Sequence, residues 1–156
     1  MRRNIRAAGI AIHDGHVLLH KMDDFWILPG GDVAAQETTL AGLKREFQEE
    51  LGIEVQMKQL LWIVENFFEY NNQPISGVEF HYLIEVPESI TLQKQTIFDG
   101  YEQETNATLH FAWHKVSELN SITLLPAVLV GKLMSLPMSL PKTIEHIINN
   151  KIVTSL

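Results

Sequence analysis

The sequence has no cysteine. Disulfides are therefore excluded, and so are thiolate metal centres; any metal must be held by oxygen or imidazole. A basic surplus is also missing. Twelve Lys and Arg stand against 19 Asp and Glu, a net charge of −7, so no broad positive field exists to hold nucleic acid by its phosphates. The same charge repels a polyanionic small molecule unless metal ions reverse the sign locally. No uninterrupted apolar run is long enough to span a membrane. The opening "MRRNIRAAGIAIHDG" has an apolar run of only about six residues, too short for the core of a secretory signal, and reads as a first strand. Low-complexity segments and repeats of architectural length are absent too. These absences favour a soluble, cytoplasmic protein without nucleic-acid or membrane partners. A homodimer is compatible with the sequence, but no feature calls for one.

What is present is ordinary globular material. The chain's 156 residues, 46% hydrophobic and 20% charged, suit one domain spanning residues 1–156 with a core of its own. Apolar, β-rich runs flank Asp14-Gly15, a strong hairpin signal. A short third strand, "FWIL", stops at Pro29-Gly30-Gly31. From about Thr38 to Leu51 the period becomes helical, with Leu40, Leu43, Phe47 and Leu51 as one stripe, and Gly52 stands where a helix C-cap favours a left-handed residue. Two strand-like runs follow, "IEVQMKQLLWIVENFFEY" and "ISGVEFHYLIEV", joined by a turn at "NNQP". The polar stretch 87–106 reads as a long loop and "ATLHFAWHKV" as another strand. Pro126 fits the first turn of a helix through about Met134. The segment "KTIEHIINNKI" reads as a final helix with Ile144, Ile147 and Ile148 inward. The order predicts a mixed α/β class.

The helix ending at Leu51 poses a chemical question. Residues three and four apart are neighbours on a helix, so Glu46, Glu49 and Glu50 share a face, about a third of a turn from the apolar stripe. Like-charge pairs at this spacing cost roughly 0.2–0.5 kcal/mol each. The negative end of the helix dipole penalises Glu49 and Glu50 further. Arg45 offsets part of this, and a divalent cation would offset far more, since hard cations take oxygen ligands and bridge carboxylates to phosphates. The plain alternative is a solvated acidic face. Against it, Pro29-Gly30-Gly31 sets glycines just before the helix, where backbone can approach an ion or phosphate closely.

Gly31, Glu37, Arg45, Glu46, Phe47, Glu49, Glu50, Gly52 and Ile53 fill every specified position of a pattern that resembles the Nudix box, Gly-x5-Glu-x7-Arg-Glu-U-x-Glu-Glu-x-Gly-U, where U is bulky and apolar. Seven exact matches at fixed spacing arise by chance on the order of once in a million chains or fewer. "IRAAGIAIHDGHVLL", "WILPGG" and "FAWHKVSEL" are similar to flanking strands of the same superfamily. The resemblance implies an α/β/α sandwich with a mixed β-sheet. It also implies hydrolysis of a nucleoside diphosphate linked to another group, assisted by Mg²⁺ or Mn²⁺.

By that resemblance Glu46, Glu49 and Glu50, with the Gly30 carbonyl, are the metal-binding set. Glu49, Glu46 and Arg45 are the catalytic candidates, Arg45 by orienting a carboxylate through a charge-assisted hydrogen bond. Gly31, Glu37 and Gly52 are structural parts of the motif. The general base stays open among Glu46, Glu49 and the loop residues Asp99, Glu102 and Glu104. Arg6 is a candidate phosphate ligand, with a strand-edge surface charge as its alternative. Phe25, Trp26, Phe67, Phe68 and Tyr101 are candidates to stack on a base, Phe25 and Tyr101 foremost, with Glu102 a further substrate contact. His16 and His20, like His110 and His114, are four apart, about 13 Å on a strand and too far to share a zinc; His81 reads as structural. The family's usual acidic residue after the double glycine and Gly before the first Glu are replaced by Ala34 and Gln36. Pro74 lies beyond the place where members that cleave ADP-ribose carry a proline. A nucleoside triphosphate, damaged forms included, therefore ranks ahead of a nucleotide sugar. A catalytically silent nucleotide-binding sensor on the same fold is the alternative in a different class.

Overall fold

The structure, a computed structural model, describes residues 3–91, 98–102 and 107–151. Strands β1 (Arg3–His13) and β2 (His16–Lys21) form a hairpin whose two turn residues, Asp14 and Gly15, have φ of 51° and 71°. This is the mirror-image turn that matches the strands' right-handed twist. β3 (Trp26–Ile27) pairs with β2, and β4 (Gly30–Asp32) pairs with the opening half of β1. The helix α1 (Thr39–Leu51) follows. Its first turn is capped by the Thr38 hydroxyl, which accepts from Ala41 N, and Gly52 closes it with φ 66°. Both ends therefore lie within a residue of where the caps in the sequence place them.

β5 (Gln56–Tyr70) and β6 (Gln73–Glu85) make a long hairpin around Asn71-Asn72, so Pro74 already belongs to β6. Then come α2 (Glu88–Thr91), β7 (Phe98–Glu102), β8 (Ala107–Lys115), a 3₁₀ turn over Val116–Ser121, α3 (Leu129–Ser135) and β9 (Glu145–Asn150). The sheet runs β7-β8-β2-β1-β6-β5-β9. β1 pairs with β6 and β5 with β9 in parallel, and the other pairs are antiparallel. The sheet is thus mixed, as expected.

Each face of the sheet carries its own core. On one, Leu43 and Phe47 of α1 pack with Ala7, Ala11, Tyr82 and Ile84. On the other, Leu129 and Leu133 of α3 and Leu119 of the 3₁₀ turn pack with Ile10, Trp62, Val64 and Ile147. Helices on both faces of one sheet make the α/β/α sandwich. Alternation along β1 sends Ala7 to the α1 side and Arg6 and Ala8 to the other.

Three local expectations need correction. The final helix is a strand: β9 lies parallel to β5, with Ile147 and Asn149 buried and Ile144 and Ile148 exposed. The sheet edge supplied partners for β-branched residues, and period two won over an apparent i, i+3, i+4 pattern. The segment 87–106 is not one loop, since it contains α2 and β7. Asp99, Tyr101 and Glu102 lie on that edge strand, while Glu104 lies outside the described residues. Pro126 heads a turn in which Leu129 N donates to Pro126 O at 3.0 Å, and α3 itself starts at Leu129.

Candidate active site

Arg45 organises the box. Its Nε donates to both Glu37 oxygens, at 3.3 and 3.1 Å, and Nη2 reaches Glu37 Oε1 at 2.7 Å and the Asp32 carbonyl at 3.1 Å. Nη1 donates to Glu46 Oε1 at 3.0 Å and Glu49 Oε2 at 3.2 Å. One planar guanidinium thus ties β4, the connecting loop and two turns of α1 together, a task suited to its rigid fork of donors. Glu37 also accepts from Ala34 N at 2.9 Å. Hydrogen bonding to Arg45, then to that amide, lowers the Glu37 carboxyl from 4.5 to about 2. The hydrogen bonds that Arg45 donates to Glu37 raise Arg45 above its ordinary value.

Glu46 behaves differently. Burial raises its pKa, against the pull of Arg45 and Arg6, and the charge of Glu49 raises it further. Such a group is under tension that a cation relieves. Gly31 lies directly under it: a Cβ there would sit 2.3 Å from Glu46 Cδ and 2.6 Å from each carboxylate oxygen. A Cβ at Gly30 would instead meet the Ala7 carbonyl at 2.0 Å, because β4 runs hard against β1. The two adjacent glycines therefore serve different needs, one the strand contact and the other room for a carboxylate. Beside the far end of α1 runs β7, where a Cβ on Gly100 would lie 2.6 Å from Glu50 O; the strand of Tyr101 and Glu102 borders the acidic end of the helix.

Among the described residues no three His, Asp or Glu side chains are already grouped to hold a metal ion, and Arg45 bridges Glu46 and Glu49. The donor chemistry nevertheless fits a hard divalent cation. The donors are carboxylate oxygens on successive turns, and the space over Gly31 is kept clear for one of them.

A cavity of about 560 Å³ is lined on its apolar walls by Met22, Phe25, Phe68, Leu125 and Pro126; no residue of the box is part of its lining, and Arg6 is the lining residue whose charge acts on Glu46. Arg6 is part of its lining and is not a strand-edge charge: β1 is paired on both sides there, with Asp32 and Glu79 as neighbours. Arg6 Nη2 donates to the Leu28 carbonyl at 2.6 Å, and its charge acts on both Glu46 and Glu79. Phe25 meets Tyr70 edge-on at 6.4 Å near the cavity. Of the other aromatic candidates, Trp26 is core, and Phe67 sits under Arg3 at 5.4 Å, away from the cavity lining.

The cavity also holds Asn66, Glu79 and Asn149, which the sequence did not single out, together with His81, which reads as structural; all four are buried and line it. Asn149 Nδ2 donates to Asn66 Oδ1 at 2.7 Å, Asn66 Nδ2 to Glu79 Oε2 at 2.8 Å, and His81 Nε2 to Glu79 Oε1 at 3.0 Å. Burial pushes Glu79 up, but His81, Arg6 and Asn66 outweigh it and bring the carboxyl to about 2. The available signal was polar residues at inward positions inside apolar runs, "WIVENFF" and "VEFHYL". His20, set aside as half of a failed zinc pair, is buried and stacked on Phe111 at 4.7 Å. Burial, then Arg6 and His110, lowers it from 6.5 to about 4, so it stands neutral beside Arg6.

Comparison with known proteins agrees with this architecture. The family model described as the NUDIX domain matches residues 3–130. A curated relative, the low-salt glycan biosynthesis protein Agl8 of Haloferax volcanii, is 30% identical over 98 residues, which are 60% of this chain and 59% of that protein. The chain thus spans less than two thirds of that relative's length. An ADP-ribose pyrophosphatase from Streptococcus suis superposes with a TM-score of 0.60 at 15% identity, covering 94% of this chain and 98% of that one. The mutator MutT protein of Bacillus halodurans gives 0.62 at 19% identity, covering 95% and 91%. At these identities the structural likeness speaks for the fold, and the match over residues 3–130 speaks for the family. The chain belongs to the NUDIX domain family.

Proposed function

We propose that the chain is a Mg²⁺- or Mn²⁺-dependent pyrophosphohydrolase of small nucleotides, with a nucleoside triphosphate, damaged forms included, ranked ahead of a nucleotide sugar. The observation that carries this reading is the position of Arg6. It lines the cavity and acts electrostatically on Glu46, so a ligand seated in the cavity would pass its phosphates by Arg6 toward the carboxylate end of α1.

Each residue then has a part. The apolar walls around Phe25 and Phe68 take a nucleobase, which supplies a π-face and little charge. Arg6 binds and orients phosphate oxygens. Glu46, Glu49 and Glu50, with the Gly30 carbonyl, would hold the divalent ion. When bound, that ion neutralises phosphate charge and makes water a better nucleophile. Glu46 or Glu49 would accept the proton of the attacking water, with Asp99, Glu102 and Glu104 as the candidates outside the box. Arg45 keeps Glu46 and Glu49 turned to the same side, and Glu37 keeps Arg45 in place. Gly31 leaves room for the Glu46 carboxylate, and Gly52 ends the helix so that Glu49 and Glu50 stay in its last turn.

The nucleotide-sugar reading has one observation of its own: the 30%-identical relative is named for glycan biosynthesis. A screen of nucleoside triphosphates and nucleotide sugars, read by phosphate or pyrophosphate release with and without Mg²⁺ or Mn²⁺, separates these readings from a silent sensor. Metal-dependent turnover that vanishes in Glu50→Gln while the circular-dichroism spectrum is unchanged supports the hydrolase. Full activity in that variant removes Glu50 from the metal set.

A further inference from the structure

The floor of the cavity has a direction. Asn149 donates to Asn66, Asn66 donates to Glu79, and His81 donates to Glu79 from the other side. These hydrogen bonds fix the amide of Asn66 in one orientation, since its oxygen accepts and its nitrogen donates. They also fix the Glu79 carboxylate, with one bond to each oxygen. An ionised carboxylate has about four acceptor sites and no donor, so about two remain. Glu79 lines the cavity and its side chain keeps 11% exposure. The network spans three adjacent strands, β5, β6 and β9, and Arg6 is the register neighbour of Glu79 on β1.

We propose that Glu79, braced by Asn66 and Asn149, reads the base of the substrate and selects one with two adjacent N–H donors on its pairing edge, the guanine pattern. The inference rests on the reading of this cavity as a nucleoside site. Guanine offers N1–H and N2–H side by side, which suits the two oxygens of a carboxylate. Adenine and cytosine each offer one amino donor beside a ring-nitrogen acceptor, which would face the carboxylate lone pairs. Uracil and thymine flank a single N–H with two carbonyls and are repelled. A buried acceptor fixed by other groups cannot rotate to accommodate the wrong edge, which is how polar sites reach high selectivity. The cavity volume of about 560 Å³ admits a purine, within the usual range for small-molecule sites.

Glu79 has a competing role as a purely structural tie between strands, which predicts no base preference. The test is titration calorimetry of the full chain with GMP, AMP, CMP and UMP in the absence of metal, for the wild type and for Glu79→Gln. GMP is expected to bind wild type at least about 10-fold more tightly than the other three. Glu79→Gln is expected to lose about 10²-fold for GMP while the others stay within about 3-fold. Equal binding of all four, a preference for another base, or a GMP preference that survives in a folded Glu79→Gln overturns the proposal. Should that variant fail to fold, the wild-type ranking decides alone. Selective GMP binding without turnover of any guanine nucleotide would sink the hydrolase reading and leave this one standing.

Discussion

Replacing Gly31 with alanine separates the site from the fold. Gly31 lies outside the left-handed region, so its backbone accepts an L side chain without strain. The new methyl would stand 2.3 Å from Glu46 Cδ. Carbon atoms at rest lie about 3.5 Å apart, so the carboxylate must retreat by roughly 1 Å. A misplacement of that size in a reacting geometry costs about 10²-fold in rate, or about 2.7 kcal/mol of barrier. The atom that moves is the far end of a flexible side chain, so the fold has little to lose. Gly31→Ala is therefore expected to retain its melting temperature to within about 1 °C, below the roughly 2–4 °C that 1 kcal/mol produces in a domain of this size, and to lose about 10²-fold in kcat/KM. Gly30→Ala is the control. Its methyl would meet the Ala7 carbonyl at 2.0 Å and Ala8 Cα at 2.8 Å, and neither can yield without parting β4 from β1. Thermal melts and steady-state kinetics on the pair check this. A Gly31→Ala variant with full activity, or one that melts as early as Gly30→Ala, would refute the reasoning.

Two further outcomes follow from Arg45 and its partners. Arg45→Lys keeps the charge but replaces the fork with one ammonium, which cannot span Glu37, Glu46, Glu49 and the Asp32 carbonyl together. Activity and Mn²⁺ affinity are expected to fall about 10- to 100-fold, and kinetics with a metal titration would show if they do not. Glu37 has its pKa lowered on folding, from 4.5 to about 2, so its contribution to stability is complete above about 4.5 and is lost as pH falls through about 2. The melting-temperature gap between wild type and Glu37→Gln, measured without metal, should therefore be widest at neutral pH and close below pH 4.5. A gap that is constant down to pH 2 contradicts the assignment.

The legible parts of this chain were those whose meaning is local. Thr38 and Gly52 mark the helix because caps act within a turn, and Asp14-Gly15 marks a hairpin because two residues suffice to make it. The carboxylates of α1 were legible as a group because helical spacing alone puts them on one face. What could not be read depends on neighbours distant in sequence. Ile147 and Ile148 follow either period until β5 supplies an edge. Asn66, Glu79 and Asn149 meet only after three strands align, 13 and 83 residues apart along the chain. Arg6 was ambiguous for the same reason: the strands that pair with it on both sides come from residues 32 and 79.

The central claim is that Glu46, Glu49 and Glu50 form a divalent-metal site serving a nucleotide held in the cavity that Arg6 lines. The most direct test measures pyrophosphate or phosphate release from a panel of nucleotides by the wild type and Glu49→Gln, across a Mg²⁺ and Mn²⁺ titration. The account predicts turnover of at least one nucleotide that rises with metal and is abolished in Glu49→Gln at unchanged melting temperature. Turnover that is independent of metal, or none on any nucleotide with either ion, would contradict it.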